Sequence, residues 1–216
     1  MKKLPLFFYT LVVILFGCKS TSYFKTPNDV LRKPGTIYFI DGTSKAGQIS
    51  IQFEADIEVK NGISLKPTGS VTEERIPVRN VKAYTIDGYY YVPKEIDLYF
   101  TGTYNFLFIK RLTKENAKIQ FYELHQAYKS NVTGEELYFY FISLPTHSQY
   151  EVWNIYSKNL VPYFDLKMSK IVEDCPALAE KIRVKQKGYF LPQLNLANSK
   201  KVAVFKRVID EYNSCK

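Results

Sequence analysis

The stretch Gly47-Gln48-Ile49-Ser50-Ile51-Gln52-Phe53 alternates polar and apolar side chains without a break. Successive strand residues point to opposite faces, so this period predicts a half-buried β-strand and excludes a helix, whose apolar positions recur every three or four residues. Just upstream, Thr36-Ile37-Tyr38-Phe39-Ile40 reads as a partner strand reached through the Asp41-Gly42 turn, which predicts a hairpin. Downstream, Asn61-Gly62 lies between Ile57 to Lys60 and Ile63 to Lys66 and predicts a second hairpin with short arms. Arg75 to Val78, Val81 to Ile86 and, after an Asp87-Gly88 turn, Tyr89 to Val92 follow as extended runs, the last stopped by Pro93. Asp97 to Phe100, Asn105 to Leu112, Lys118 to Tyr128, Glu135 to Leu144 and Tyr150 to Tyr156 complete the series. Strands at this spacing, with no long helical pattern between them, predict antiparallel pairing. The 18 Tyr and 15 Phe point the same way, because aromatic side chains favour half-buried pleated surfaces.

After Leu160 the period changes. Tyr163, Phe164, Leu166, Met168, Ile171 and Val172 have helical spacing, and Pro176 stands where a second helix would begin, with Gly188 at its end. Asn198 or Ser199 can cap a last helix that carries Val202, Phe205, Val208, Ile209 and Tyr212 on one face. The fold class predicted is α+β: an antiparallel β-sandwich or open barrel-like β-domain over residues 35–156, followed by two or three helices packed on it over residues 157–216, in one globular unit.

Ahead of this unit, Lys2 and Lys3 precede an apolar run from Leu4 to Phe16 that is too short to cross a bilayer, which takes roughly 20 residues. Leu15-Phe16-Gly17-Cys18 has the form of a bacterial lipobox. Residues 1–17 are therefore read as a lipoprotein signal peptide, Cys18 as the acylated first residue of the mature chain, and residues 18–34 as a polar tether. The expected location is the bacterial cell envelope, held to its outer membrane through Cys18. The formal charge of +9 favours acidic partners such as lipid head groups or acidic glycans, while export argues against nucleic acid. Another envelope protein is a further expected partner.

With Cys18 acylated, Cys175 and Cys215 remain as an even pair in an oxidising compartment, which predicts a disulfide. Free thiols or a metal site are the alternatives, and two cysteines without nearby histidines make a poor metal site.

Several motifs together carry a resemblance. Gly35-x-Ile37, Asp41-Gly42, Gly47-x-Ile49, Ile76-x-Val78-x-x-Val81, Phe106-Leu107 and Gln120-Phe121-Tyr122-Glu123 are followed by Asp174-Cys175-Pro176 and Tyr212-Asn213-x-Cys215. This pattern resembles a group of uncharacterised exported proteins and lipoproteins of Bacteroidota. The resemblance implies an exported, α+β architecture and brings no catalytic residue with it.

Chemistry-bearing patterns are sparse. His125 and His147 are the two histidines, the first in a strand pattern, the second in the polar loop Pro145 to Gln149 and expected to be solvated. No nucleophile elbow, metal-binding helix motif or glycine-rich phosphate loop occurs. The adjacent carboxylates Glu73-Glu74 and Glu135-Glu136 point apart along a strand or loop and read as surface charge, whereas glycoside cleavage needs two carboxylates converging across a cleft. Asn131-Val132-Thr133 fits a glycosylation acceptor, incidental in a bacterial lipoprotein. The aromatic runs at Tyr89 to Tyr91 and Tyr138 to Phe141 read chiefly as packing, with Trp153 and Tyr90 as the candidate ligand surface. No cofactor is expected. The function predicted is a membrane-anchored, non-catalytic binding or structural module, with an envelope hydrolase as the alternative.

Overall fold

The computed structural model describes residues 27–215, apart from 55–57, 98–101, 103, 130–135 and 193–197. The signal peptide, Cys18, Glu135, Asn131 and the strand expected over Asp97 to Phe100, apart from Asp97 itself, lie outside the described residues. Ten strands form one open antiparallel sheet: β1 (Val30–Phe39), β2 (Ser44–Glu54), β3 (Glu58–Pro67), β4 (Glu74–Ile76), β5 (Val81–Ile86), β6 (Tyr89–Ile96), β7 (Asn105–Arg111), β8 (Gln120–Lys129), β9 (Glu136–Ser143) and β10 (Trp153–Asn154). Three helices follow: α1 (Phe164–Ile171), α2 (Pro176–Arg183) and α3 (Asn198–Ser214). The spatial order β10-β9-β8-β7-β6-β5-β1-β2-β3-β4 describes two meanders joined where β5 returns to β1. The sheet curls, bringing β3 against β7, so the two layers expected of a sandwich are parts of one continuous sheet.

Two cores result. The first lies in the curl and is rich in aliphatic residues, with Ile37, Ile49, Ile51, Ile63 and Leu65 fully buried beside Tyr84, Leu107 and Ile109. The alternation quoted at the outset explains it: Ile49 and Ile51 share a face and sit opposite Leu65 and Ile63 on β3. Gly35 is required at the β1–β5 seam, because a Cβ there would stand 2.2 Å from the Thr85 carbonyl oxygen and 2.8 Å from Ile49 Cδ1.

The second core joins the helices to the far end of the sheet. Phe121 on β8 and Ile142 on β9 point to it, together with Phe164 and Met168 of α1, Leu178 and Ile182 of α2, and Phe205, Val208 and Ile209 of α3. Their strand neighbours Tyr122, Leu124 and Phe141 point the other way, into the first core. Strands β8 and β9 are thus buried on both faces. This is why the aromatic run at Tyr138 to Phe141 has no polar alternation.

Three departures from the sequence reading have physical causes. Asn61-Gly62 is not a hairpin turn, and the second hairpin does not form. Both residues lie inside β3, as an irregularity where Ile51 pairs with Ile63 and Gln52 pairs with Lys60. Gly62 has φ of 79°, and a Cβ on it would stand 2.3 Å from the Ile76 carbonyl oxygen, so the glycine serves a close backbone approach from β4. Pro93 does not end its strand: β6 pairs with β5 only through Tyr91 and continues beside β7, where Pro93 opposite Phe108 lies past the end of the β5 ladder. Pro34 sits the same way in β1, opposite Gln48 and just outside the β5 ladder, which begins at Gly35. The first strand therefore starts at Val30, within the segment expected to be tether, and absorbs the excess length in a register shift between Val30 and Lys33.

Candidate functional site

The expected disulfide is present: Cys175 and Cys215 are joined, with Cα atoms 6.1 Å apart. Pro176 occupies the first turn of α2, as its rigid φ and missing N–H favour, and the return of α3 brings Cys215 back to Cys175. The residues around the two cysteines complete a clasp. Tyr212 donates its hydroxyl to Asp174 Oδ1 at 2.7 Å, and Asn213 both accepts from Ile119 N at 2.9 Å and donates to Ile119 O at 3.0 Å. The bond from Tyr212, with Lys118 nearby, holds the Asp174 carboxyl below the usual carboxylate range. Burial, aided by that bond to Asp174, pushes the Tyr212 phenol up to about 12. The motifs Asp174-Cys175-Pro176 and Tyr212-Asn213-x-Cys215 thus meet in one structural device, which leaves them no free group for chemistry.

Two concave regions with aromatic walls lie at opposite ends of the sheet. The first, of about 240 Å³, opens where β7 and β8 splay, since those strands pair only at Lys110 with Glu123 and Arg111 with Tyr122. Residues Pro27 to Val30 line this N-terminal groove, and Asn28 donates its side-chain amide to the His125 carbonyl at 2.8 Å. Its charges are matched in pairs: Lys33 with Asp87 at 2.8 Å, and Lys110 with Glu123 at 3.2 Å, where Tyr140 also donates its hydroxyl at 3.2 Å. His125 stacks on Tyr138 with centroids 4.6 Å apart and stands 3.2 Å from Glu136 Oε2. It is held in the sheet as the strand pattern suggested.

The second region is a cleft of about 500 Å³ beside the edge strand β10. Trp153, Tyr104 and Tyr156 supply its aromatic walls, and Asn154 and Ser157 its polar ones. Trp153 is placed by pairing with Ile142 on β9, and its ring rests on His147 with centroids 4.5 Å apart. Asn154 Oδ1 accepts from Tyr156 N at 2.9 Å, fixing the tight turn that brings Ser157 to the cleft wall. Burial raises the Tyr156 phenol above its ordinary value.

Behind this cleft the loop from Pro145 to Glu151 folds onto β6. Lys94 Nζ donates to the Gln149 carbonyl at 2.6 Å, Glu95 N donates to Tyr150 O at 3.0 Å, and the Tyr150 ring meets Phe106 edge-on at 5.1 Å. His147 is consequently buried, with 4% of its side chain exposed, against the expectation of a solvated loop residue. Burial lowers its pKa, opposed by the nearby Glu151 carboxylate. Lys94 is itself only 6% exposed, and burial reinforced by the Arg111 charge pushes its ammonium down to about 8. Sequence reasoning missed this group, because Lys94 follows a proline taken as the end of a strand.

The two candidate surface residues are not brought together. Tyr90 lies on β6 between Tyr38, 5.7 Å away by ring centroid, and the Arg111 guanidinium, 4.0 Å above its ring. It lines neither region. Tyr91 stacks instead on Tyr84 at 4.8 Å, so the aromatic run divides between two faces as a strand requires. Among the other singled-out carboxylates, Glu74 pairs with Lys45 at 2.9 Å. Among the described residues no group of three or more His, Cys, Asp or Glu is placed to hold a metal ion, and no helix is long and apolar enough to cross a membrane. No family model, curated protein or solved structure matches this chain.

Proposed function

We propose that this protein is a lipid-anchored binding module of the bacterial cell envelope, tied to the outer membrane through an acylated Cys18 and holding its ligand or partner without chemical turnover. The observation that carries the reading is the Leu15-Phe16-Gly17-Cys18 sequence after a short apolar run with two lysines ahead of it. The Cys175–Cys215 disulfide supports it, since such bonds belong to oxidising compartments. The two histidines add support: His125 is stacked on Tyr138 beside Glu136 in the sheet, and His147 is wedged against Trp153. The likeness to exported lipoproteins of Bacteroidota belongs to the same proposal.

The envelope hydrolase alternative rests on the N-terminal groove, where Asp87 and Glu123 both line the wall. Each is engaged by a lysine, an arrangement suited to holding a structure together more than to protonating a leaving group. The test is metabolic labelling with palmitate in the native host. Wild type should be labelled and sediment with membranes, and Cys18→Ser should lose both properties. Undiminished membrane association of Cys18→Ser would overturn the anchor.

A further inference from the structure

We propose that the cleft at Trp153 is a glycan-binding site that takes an oligosaccharide bearing carboxylate groups. The inference deepens the binding-module reading by naming its ligand class, and it rests on that reading only for the statement that the cleft faces away from the membrane.

Three observations lead to it. The walls pair flat aromatic rings with hydroxyl and amide groups. Trp153 and Tyr156 are half-buried and rigidly held, while Tyr104 is 67% exposed beside them. Sugar rings present apolar C–H faces and a rim of hydroxyls, so they match this mixture, whereas a wholly apolar ligand would leave the polar groups dry. The volume of about 500 Å³ falls within the range of roughly 300–1,000 Å³ typical of small-ligand sites, and depressions of about 420 Å³ beside Gly47 and Pro67 and about 540 Å³ on α3 that fall in the same range are lined by no aromatic residue. Finally, Lys158 lines the cleft and Lys201 Nζ stands 4.8 Å from the Tyr156 ring centre, against the single carboxylate of Asp97 among the described lining residues. That carboxylate already accepts the Gly102 amide at 2.7 Å. The balance of charge favours an anionic ligand.

A peptide added as a strand fits less well. The neighbouring edge strand β10 is two residues long and offers almost no ladder to extend.

The position of the cleft suits capture at a distance from the bilayer. Asn28 and Asp87 line the N-terminal groove together, and β6 then runs from Tyr89 to Ile96, which reaches the cleft. At about 3.3 Å per residue, that strand alone sets the cleft more than roughly 20 Å from the N-terminal groove.

Trp153 is the only tryptophan of the chain, so its fluorescence reports on the cleft and on nothing else. The test titrates purified protein, wild type and Cys18→Ser, with tetragalacturonate, with neutral galactotetraose and with a tetra-alanine peptide. Tetragalacturonate should change the emission saturably, bind at least threefold tighter than galactotetraose at low salt, and lose that advantage in 0.5 M sodium chloride. Tyr104→Ala, which removes an exposed ring and leaves both cores intact, should weaken binding at least tenfold without changing the melting temperature. Absence of saturable binding by either sugar, an equal response to the peptide, or unchanged affinity in Tyr104→Ala would overturn the site. Binding should be the same in Cys18→Ser, so a failed anchor and a failed glycan site give different results.

Discussion

The two cores solve one problem in different ways. Between β1 and β7 the chain buries its apolar surface by curling a sheet upon itself, and the residues that do this are isoleucines and leucines on strands. Between β8 and α3 the sheet stays spread, and three helices of modest length cover its outer face. The first solution needs glycines where backbones cross closely, at Gly35 and Gly62. The second needs something to hold short helices in place. A helix such as α2, with eight residues, is marginal alone, and the Cys175–Cys215 clasp supplies what its length does not. Curvature is set by local sequence, while coverage depends on a tie between distant residues.

The comparison can be broken most strongly at the clasp. Replacing Cys175 and Cys215 together by Ser should destabilise the protein by roughly 4 kcal/mol, the chain-entropy value for a closed loop of this separation, 40 residues. Hydrogen exchange should show the lost protection concentrated in α1 to α3, with β1 to β5 still protected. Equal loss throughout would mean that the two cores form one cooperative unit. The reverse experiment is Gly35→Ala, whose added methyl meets the Thr85 carbonyl and Ile49. It should cost about 2–3 kcal/mol, and the loss of protection should start at the β1–β5 seam with the disulfide still formed.

Lys94 tests the junction between the halves. Its ammonium is pushed from 10.5 down to about 8, so the folded state binds its proton less tightly than the unfolded chain does. Stability should therefore rise as pH increases between about 8 and 10.5. The gain between pH 8 and 9.5 should be about 1.5 kcal/mol by denaturant titration, and it should vanish in Lys94→Met. The smallest effect belongs to Asp174, whose carboxyl is held below its ordinary value, first by the bond from Tyr212. Its contribution is present above the unfolded value near 4 and disappears as pH falls through the lower folded value. Asp174→Asn should flatten that part of the acid unfolding curve for the helical region and leave the curled core unaffected.

The legible parts of the sequence follow the same division. Val81 to Ile86 and the Asp87-Gly88 turn could be read directly, because alternation and turn chemistry act over a few residues. The three helices and the disulfide were legible from period, Pro176 and cysteine parity, although α2 ends at Arg183 and not at the expected Gly188. Asn61-Gly62 misled because the dipeptide suits a bulge as well as a turn, and only the approach of β4 decides between them. Pro93 misled because a proline stops a strand only where both neighbours demand its N–H, which is a fact about distant residues. For the site, Trp153 stood out by its rarity. Tyr104, Ser157 and the buried Lys94 carry no local signal, since their roles come from where separate turns and strands converge.

The order of strands also bears on how the chain reaches this state. Apart from the return of β5 to β1, every ladder joins strands adjacent in sequence. Each meander can therefore zip as its residues become available, with little loop entropy to overcome. One long closure remains, and it requires β1 to wait until β5 has been delivered. Folding should consequently be fast for a sheet of this size and limited by that single seam, where Gly35 leaves just enough room for the two halves to meet.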